Sequence, residues 1–161
     1  LVIYKHQSKI HVEFPRQSAP KMKILEELYF KGKLTSVADV LAGPGTLGLV
    51  AALAGAERVV LNDAWLPAVE DAILNLEANR SILGINKIER PESPTGEIGG
   101  EPVLAAEAKG EGCKIEVYLG DAERLFSRAE PTDLCLIDPF PGMKFDRIAE
   151  ACRVCGEVVI V

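Results

Sequence analysis

Residues 37–48 read Val-Ala-Asp-Val-Leu-Ala-Gly-Pro-Gly-Thr-Leu-Gly. A short apolar run, Val37 to Leu41, leads into Gly43, Gly45 and Gly48, spaced G-x-G-x-x-G, and an apolar helical run from Leu47 to Leu53 follows at once. Strand, glycine turn and helix in this order let a ligand lie against backbone N–H groups at a helix N-terminus. The next apolar run, Val59-Val60-Leu61, ends in Asn62-Asp63, and Asp63 stands 20 residues beyond Gly43. At that spacing a carboxylate reaches the two hydroxyls of a ribose. The pattern points to a ligand that carries a nucleoside.

Asp39 narrows the choice. It sits inside the first strand, four residues before the first glycine. A parallel central strand is buried on both faces, so a carboxylate there is costly unless it is hydrogen-bonded or serves a cation. S-adenosylmethionine carries an ammonium and a sulfonium, whereas a nicotinamide dinucleotide leaves this acid without a use. The stretch 37–49 resembles the first motif of class I S-adenosylmethionine-dependent methyltransferases, above all the branch that includes the ribosomal RNA guanine-N2 enzymes. The resemblance covers about residues 18–161. It implies an α/β fold, a doubly wound and mostly parallel Rossmann-like sheet. It also assigns Asp39, Ala42, Gly43, Gly45, Gly48 and Asp63 to the cofactor. There is no Gly-Lys-Ser/Thr, which excludes a phosphate-loop nucleotidase.

Periodicity extends the same architecture. Residues 1–14 read as a β-hairpin, Pro15 and Pro20 bracket a linker, and 21–31 has helical spacing at Met22, Leu25, Leu28 and Tyr29. Strand 36–41, helix 46–54, strand 57–61, helix 66–83, strands 114–119 and 133–138, helix 144–154 and strand 157–161 then follow. Strands that alternate with helices imply the doubly wound sheet. The expected organisation is an N-terminal extension over 1–20 and a core over 21–161. Residues 84–112, rich in Gly, Glu and Pro, are expected to be a flexible insertion. The usual last two strands of the family fold are missing after 157–161, which implies a truncated chain, a minimal core, or an edge completed by the N-terminal hairpin or another subunit.

Two further stretches carry chemistry. Tyr118-Leu119-Gly120-Asp121-Ala122-Glu123 follows a strand. The resemblance gives Asp121 the adenine amino group and the Ala122 N–H the ring, while an acid before Ala-Glu-Arg is also a good helix N-cap. Leu134-Cys135-Leu136-Ile137 delivers Asp138-Pro139-Phe140-Pro141 at a strand's carboxyl end, where open α/β sheets bind ligands. This is similar to the Asp-Pro-Pro-Tyr motif of methyltransferases acting on exocyclic amines, and to the Asp-Pro-Phe-Gly form of the transfer RNA guanine-N2 enzymes, with Pro141-Gly142 in place of Gly. Asp, two prolines and a glycine also make a tight turn unaided. Asp138, Pro139 and Phe140 are the expected catalytic residues.

Composition bounds the partners. The net charge is −6, but residues 1–33 hold seven Lys/Arg against three acids, which leaves the remainder at −10. A basic N-terminal region on an acidic cofactor domain fits phosphate contacts from one end, or a solvated hairpin and helix. No apolar run is long enough for a membrane span. Four scattered cysteines imply reduced thiols and a cytoplasmic setting, and Cys152-x-x-Cys155 without further ligands implies packing rather than a metal. The sequence therefore reads as an enzyme that methylates a nucleobase amine in transfer or ribosomal RNA. The rivals are a small-molecule methyltransferase, a nicotinamide enzyme, and a catalytically silent partner subunit.

Overall fold

The computed structural model describes Lys23, Glu26, Glu27, 35–91 and 100–161. The expected hairpin over 1–14, its linker and most of the helix over 21–31 lie outside the described residues; Lys23, Glu26 and Glu27 are helical and exposed. The remaining elements run in chain order β1 (Ser36–Asp39), α1 (Thr46–Leu53), β2 (Arg58–Asp63), α2 (Leu66–Ala78), β3 (Ile85–Glu89), β4 (Val103–Gly110), β5 (Lys114–Leu119), α3 (Ala122–Phe126), β6 (Leu134–Ile137), α4 (Asp146–Ala151) and β7 (Glu157–Ile160). A short 3-10 turn, Cys152–Val154, finishes α4.

The seven strands form one sheet in the order β3-β4-β5-β2-β1-β6-β7. The pairs β5·β2, β2·β1, β1·β6 and β6·β7 are parallel. The chain winds from β1 outward to β2 and β5, then returns to the other side of β1 for β6 and β7. The direction reverses beside β1, and such a switch point opens a crevice at the carboxyl ends of the strands.

Both faces of the central strands are buried, which explains their unbroken apolar runs. On one face Val37, Val59, Leu61, Val117, Leu134 and Leu136 pack with Leu49 of α1 and Ile73 and Leu76 of α2. On the other, Ala38, Val40, Val60, Cys135 and Ile137 pack with Phe126 of α3 and Cys152. Alternate residues of each strand serve opposite faces, as the pleat requires.

Two expectations are corrected. Residues 84–112 are not a structureless insertion: β3 and β4 form an antiparallel hairpin that extends the sheet beyond β5, and 92–99 lies outside the described residues. The alanines of β4 pack inward (Ala105, Ala106 and Ala108 are buried), while Glu107 and Lys109 stand on the other face. Glu107 also pairs with Lys114 of β5, and both lysines hold its carboxyl below the usual range. Second, Cys135 and Cys155 are not separate thiols. They form a disulfide, because the turn after Cys152–Val154 brings Cys155 beside β6 with its Cα 6.3 Å from that of Cys135.

Gly48 shows how closely α1 lies on the sheet. A Cβ there would stand 2.1 Å from Leu61 Cδ2 and 3.2 Å from Val59 Cγ1. Gly112, in the turn between β4 and β5, has nothing within 4 Å. Gly48→Ala is expected to destabilise the fold by about 1–3 kcal/mol through overpacking, and Gly112→Ala to stay within about 0.5 kcal/mol of the parent. Urea unfolding with unchanged m-values checks both.

Candidate active site

The glycine turn rises from β1 and is tied down by its neighbours. Gly43 and Gly45 adopt left-handed backbone conformations, with φ of 52° and 83°, which lets the chain reverse into α1 within three residues. Asp39 is 1% exposed, and its Oδ2 accepts the Gly48 N–H at 2.9 Å. It thus satisfies one of the orphan N–H groups in the first turn of α1, whose N-cap residue, Gly45, supplies no side-chain cap. Of the two expected uses of this buried acid, hydrogen bonding or serving a cation, the helix supplies a hydrogen bond to one oxygen.

Asp63 ends β2 and faces the same turn. Its Oδ2 accepts the Gly43 N–H and its Oδ1 the Trp65 N–H, each at 2.9 Å. Trp65 occupies the N-cap position of α2, with Pro67 in the first turn.

Three residues that hold this end together were not singled out by the sequence reading. Asn62 is 1% exposed and donates from Nδ2 to the carbonyls of Val40 (3.2 Å) and Gly120 (3.4 Å). Its own carbonyl accepts the Ala42 N–H at 2.8 Å. Asn75 of α2, fully buried, donates from Nδ2 to the Pro44 carbonyl at 2.9 Å, inside the glycine turn. Gly120 donates to the Asp63 carbonyl at 3.0 Å, which joins the end of β5 to that of β2. The available signal was a polar residue in an otherwise apolar pattern, as in Val59-Val60-Leu61-Asn62.

Asp121 caps α3, with Oδ1 accepting the Arg124 N–H at 2.9 Å. Both sequence readings of this acid are therefore compatible. Its other oxygen and the Ala122 N–H make no hydrogen bond among the described residues. A free carboxylate oxygen next to a free N–H matches the donor and acceptor edge of an aminopurine. By this measure the residues present fit an adenosyl group.

Asp138-Pro139-Phe140 follows β6, on the far side of β1 from Asp63. The tight turn lies one step further on. Met143 N–H donates to the Phe140 carbonyl at 3.0 Å, with Pro141 second and Gly142 (φ 84°) third in the turn. Asp138 and Pro139 precede that turn, and Phe140 is 64% exposed.

The predicted residues thus gather at the carboxyl ends of four neighbouring parallel strands: Asp39 to Gly48 after β1, Asp63 after β2, Asp121 and Ala122 after β5, and Asp138 to Phe140 after β6. The cysteines lie elsewhere. Burial pushes the Cys113 and Cys152 thiols up to about 11, so both are protonated and unreactive at neutral pH. Among the described residues no cluster of His, Cys, Asp or Glu could hold a metal, and no helix is long and apolar enough to cross a membrane.

No protein-family model and no curated protein matches the chain. Solved structures do. Trm1 from Pyrococcus horikoshii, in complex with S-adenosyl-L-methionine, has 22% identity and a TM-score of 0.65, over 86% of this chain and 33% of its own. A putative RNA methyltransferase from Pyrococcus horikoshii has 20% identity and a TM-score of 0.56, over 96% of this chain and 60% of its own. A putative methyltransferase from Escherichia coli has 13% identity and a TM-score of 0.61, over 98% of this chain and 68% of its own. The chain therefore shares the Rossmann-like fold of these structures, and it spans a third of the length of Trm1.

Asn75→Ala leaves the Pro44 carbonyl without its donor in a buried place. The expected cost is about 1–3 kcal/mol, together with weaker ligand binding, because the glycine turn loses its anchor on α2. Thermal melting read beside a binding isotherm checks the pair of effects.

Proposed function

We propose that the chain is an S-adenosylmethionine-dependent methyltransferase whose acceptor is an exocyclic amine of a nucleobase in transfer or ribosomal RNA. The observation that carries the reading is Phe140, 64% exposed behind Asp138 and Pro139, at the strand end beside the β1 glycine turn. A cofactor crest and a displayed acid-and-aromatic motif share one edge of the sheet. Support comes also from the fold likeness to a protein solved with S-adenosyl-L-methionine and to a putative RNA methyltransferase.

The cofactor assignment rests on complementary chemistry. Asp63 would take the ribose hydroxyls, the free oxygen of Asp121 the adenine amine, and the Ala122 N–H the ring nitrogen. The turn Ala42–Gly45 would lie along the methionyl part, with Asp39 beneath it. The bound cofactor supplies an electrophilic methyl group on its sulfonium. The protein's own task is to present a nucleophile, because the lone pair of an aromatic amine is delocalised into its ring. Asp138 and the Pro139 carbonyl would accept the two N–H groups of that amine and draw the nitrogen toward tetrahedral geometry. Such positioning is worth several kcal/mol of barrier. Phe140 would stack on the base, which must leave its own stack to reach the sheet edge.

The acidic composition, net −6, favours a second reading, a small-molecule acceptor. RNA affinity that falls steeply with salt supports the first reading, and indifference to RNA the second.

Calorimetric titration is expected to show S-adenosylmethionine and S-adenosylhomocysteine binding in the micromolar range, with no binding of NAD. Asp63→Ala should weaken both by about tenfold or more, as loss of charge-assisted hydrogen bonds requires. Binding of NAD alone would sink the cofactor assignment. For the acceptor, Phe140→Ala should leave the melting temperature and cofactor affinity unchanged, because the ring packs on little. Methyl transfer to unfractionated RNA should fall by about tenfold or more, the value of a stacked base. Full transfer by that variant would remove Phe140 from the site.

A further inference from the structure

The β3–β4 hairpin lies at the edge of the sheet, but its described connection does not. β4 runs antiparallel to β5, so the segment that enters it, Gly100-Glu101-Pro102, sits at the carboxyl end of β5 beside Asp121. The contact is backbone to backbone. The Asp121 N–H donates to the Gly100 carbonyl at 3.2 Å. A Cβ on Gly120 would stand 2.4 Å from Pro102 Cα, so the two chains touch where only glycine fits. A register shift between Leu104 and Ala106 inserts an extra residue into β4 close to this contact, and bulges of this kind re-aim a strand at its end. Glu101 completes the joint. It pairs with Arg124 at 3.4 Å and with Arg128, one turn apart on the segment that Asp121 caps.

We propose that Glu101 is a positioning residue for adenine recognition, holding the Gly100–Pro102 segment against Asp121 so that its free carboxylate oxygen faces a ligand amine. This rests on the cofactor reading above and adds to it a residue that touches no ligand. Asp121 is fixed from three sides: by the first turn of α3, by the Gly100 carbonyl, and by the Glu101–arginine clamp across them. The carboxylate of the ribose acid, Asp63, is held instead by the N–H groups of Gly43 and Trp65. Glu101 should therefore govern the choice of base and leave the grip on the sugar alone.

The test compares S-adenosylhomocysteine with S-inosylhomocysteine, in which an oxo group replaces the amine, by calorimetry on the full chain. The parent should prefer the adenine form. Glu101→Ala should weaken that form by about two- to fivefold, the range of an exposed ion pair, and leave the inosine form unchanged, so the ratio narrows. Glu101→Gln, which keeps an acceptor for the guanidinium groups, should recover part of the ratio. Gly120→Ala, which drives Pro102 away, should narrow it at least as far. Asp63→Ala should weaken both ligands equally and keep the ratio. An unchanged ratio in Glu101→Ala and in Gly120→Ala, or an equal loss of both ligands, overturns the assignment while the cofactor reading stands. Failure of the parent to bind S-adenosylhomocysteine removes the cofactor reading, and this inference with it.

Discussion

The site depends on the last two residues of β2. Asn62 and Asp63 between them reach both neighbours of that strand. Through Asn62 the end of β2 is joined to Val40 and Ala42 on the β1 side and to Gly120 on the β5 side. Through Asp63 it holds Gly43 by a carboxylate and Gly120 by a carbonyl. A turn with left-handed glycines is entropically expensive to fix, and here it is fixed by neighbouring side chains and not by its own sequence. Removal of either residue would free the two loops that carry the proposed cofactor contacts, although the sheet beneath would remain.

The hydrogen bonds around this crest are worth more than their number suggests. Asp39, Asn62 and Asn75 are each at most 1% exposed. A buried polar group costs free energy when unpaired, so each one constrains the arrangement that pairs it. Asp39 fastens α1 to β1, Asn75 fastens α2 to the glycine turn, and Asn62 fastens β1 to β5. Apolar packing decides that α1 and α2 cover one face. These polar contacts decide at what height the turn sits, which is the variable a ligand reads. Asp39 orders the helix N-terminus, and in the proposed cofactor reading the same acid also sets the negative field beneath the crevice.

Much of this was legible in the sequence. The parallel strands announced themselves because burial on both faces demands continuous apolar runs, and the glycine spacing with Asp63 located the crest. What was illegible has a physical cause in each case. β4 reads Val-Leu-Ala-Ala-Glu-Ala-Lys-Gly, and alanine has little strand preference of its own. Its strand character comes from the close approach of β5 and from Glu107 pairing across to Lys114, a partner that local periodicity does not reveal. Asn75 looked like any polar position of an amphipathic helix until its partner, 31 residues earlier, was known. The pairing of Cys135 with Cys155 depends on where the chain returns after α4, which spacing alone does not fix.

The two halves of the candidate site differ in how firmly they are built. From Val37 to Leu49 only Leu41 and Thr46 escape full burial, whereas no residue from Asp138 to Ala151 is buried. The cofactor half is thus held by a packed core and a polar crest. The acceptor half hangs from the end of β6 on a turn and on α4, which buries none of its residues. Low burial means low local stability, and segments of that kind supply the parts of proteins that adjust to a ligand. A small cofactor of constant shape is best met by a rigid frame. In the proposed reading, a nucleobase drawn from folded RNA would need a surface that yields as the base arrives. The contrast in burial across β1 matches that division of labour, with the rigid acids on one side of the switch point and the displayed aromatic on the other.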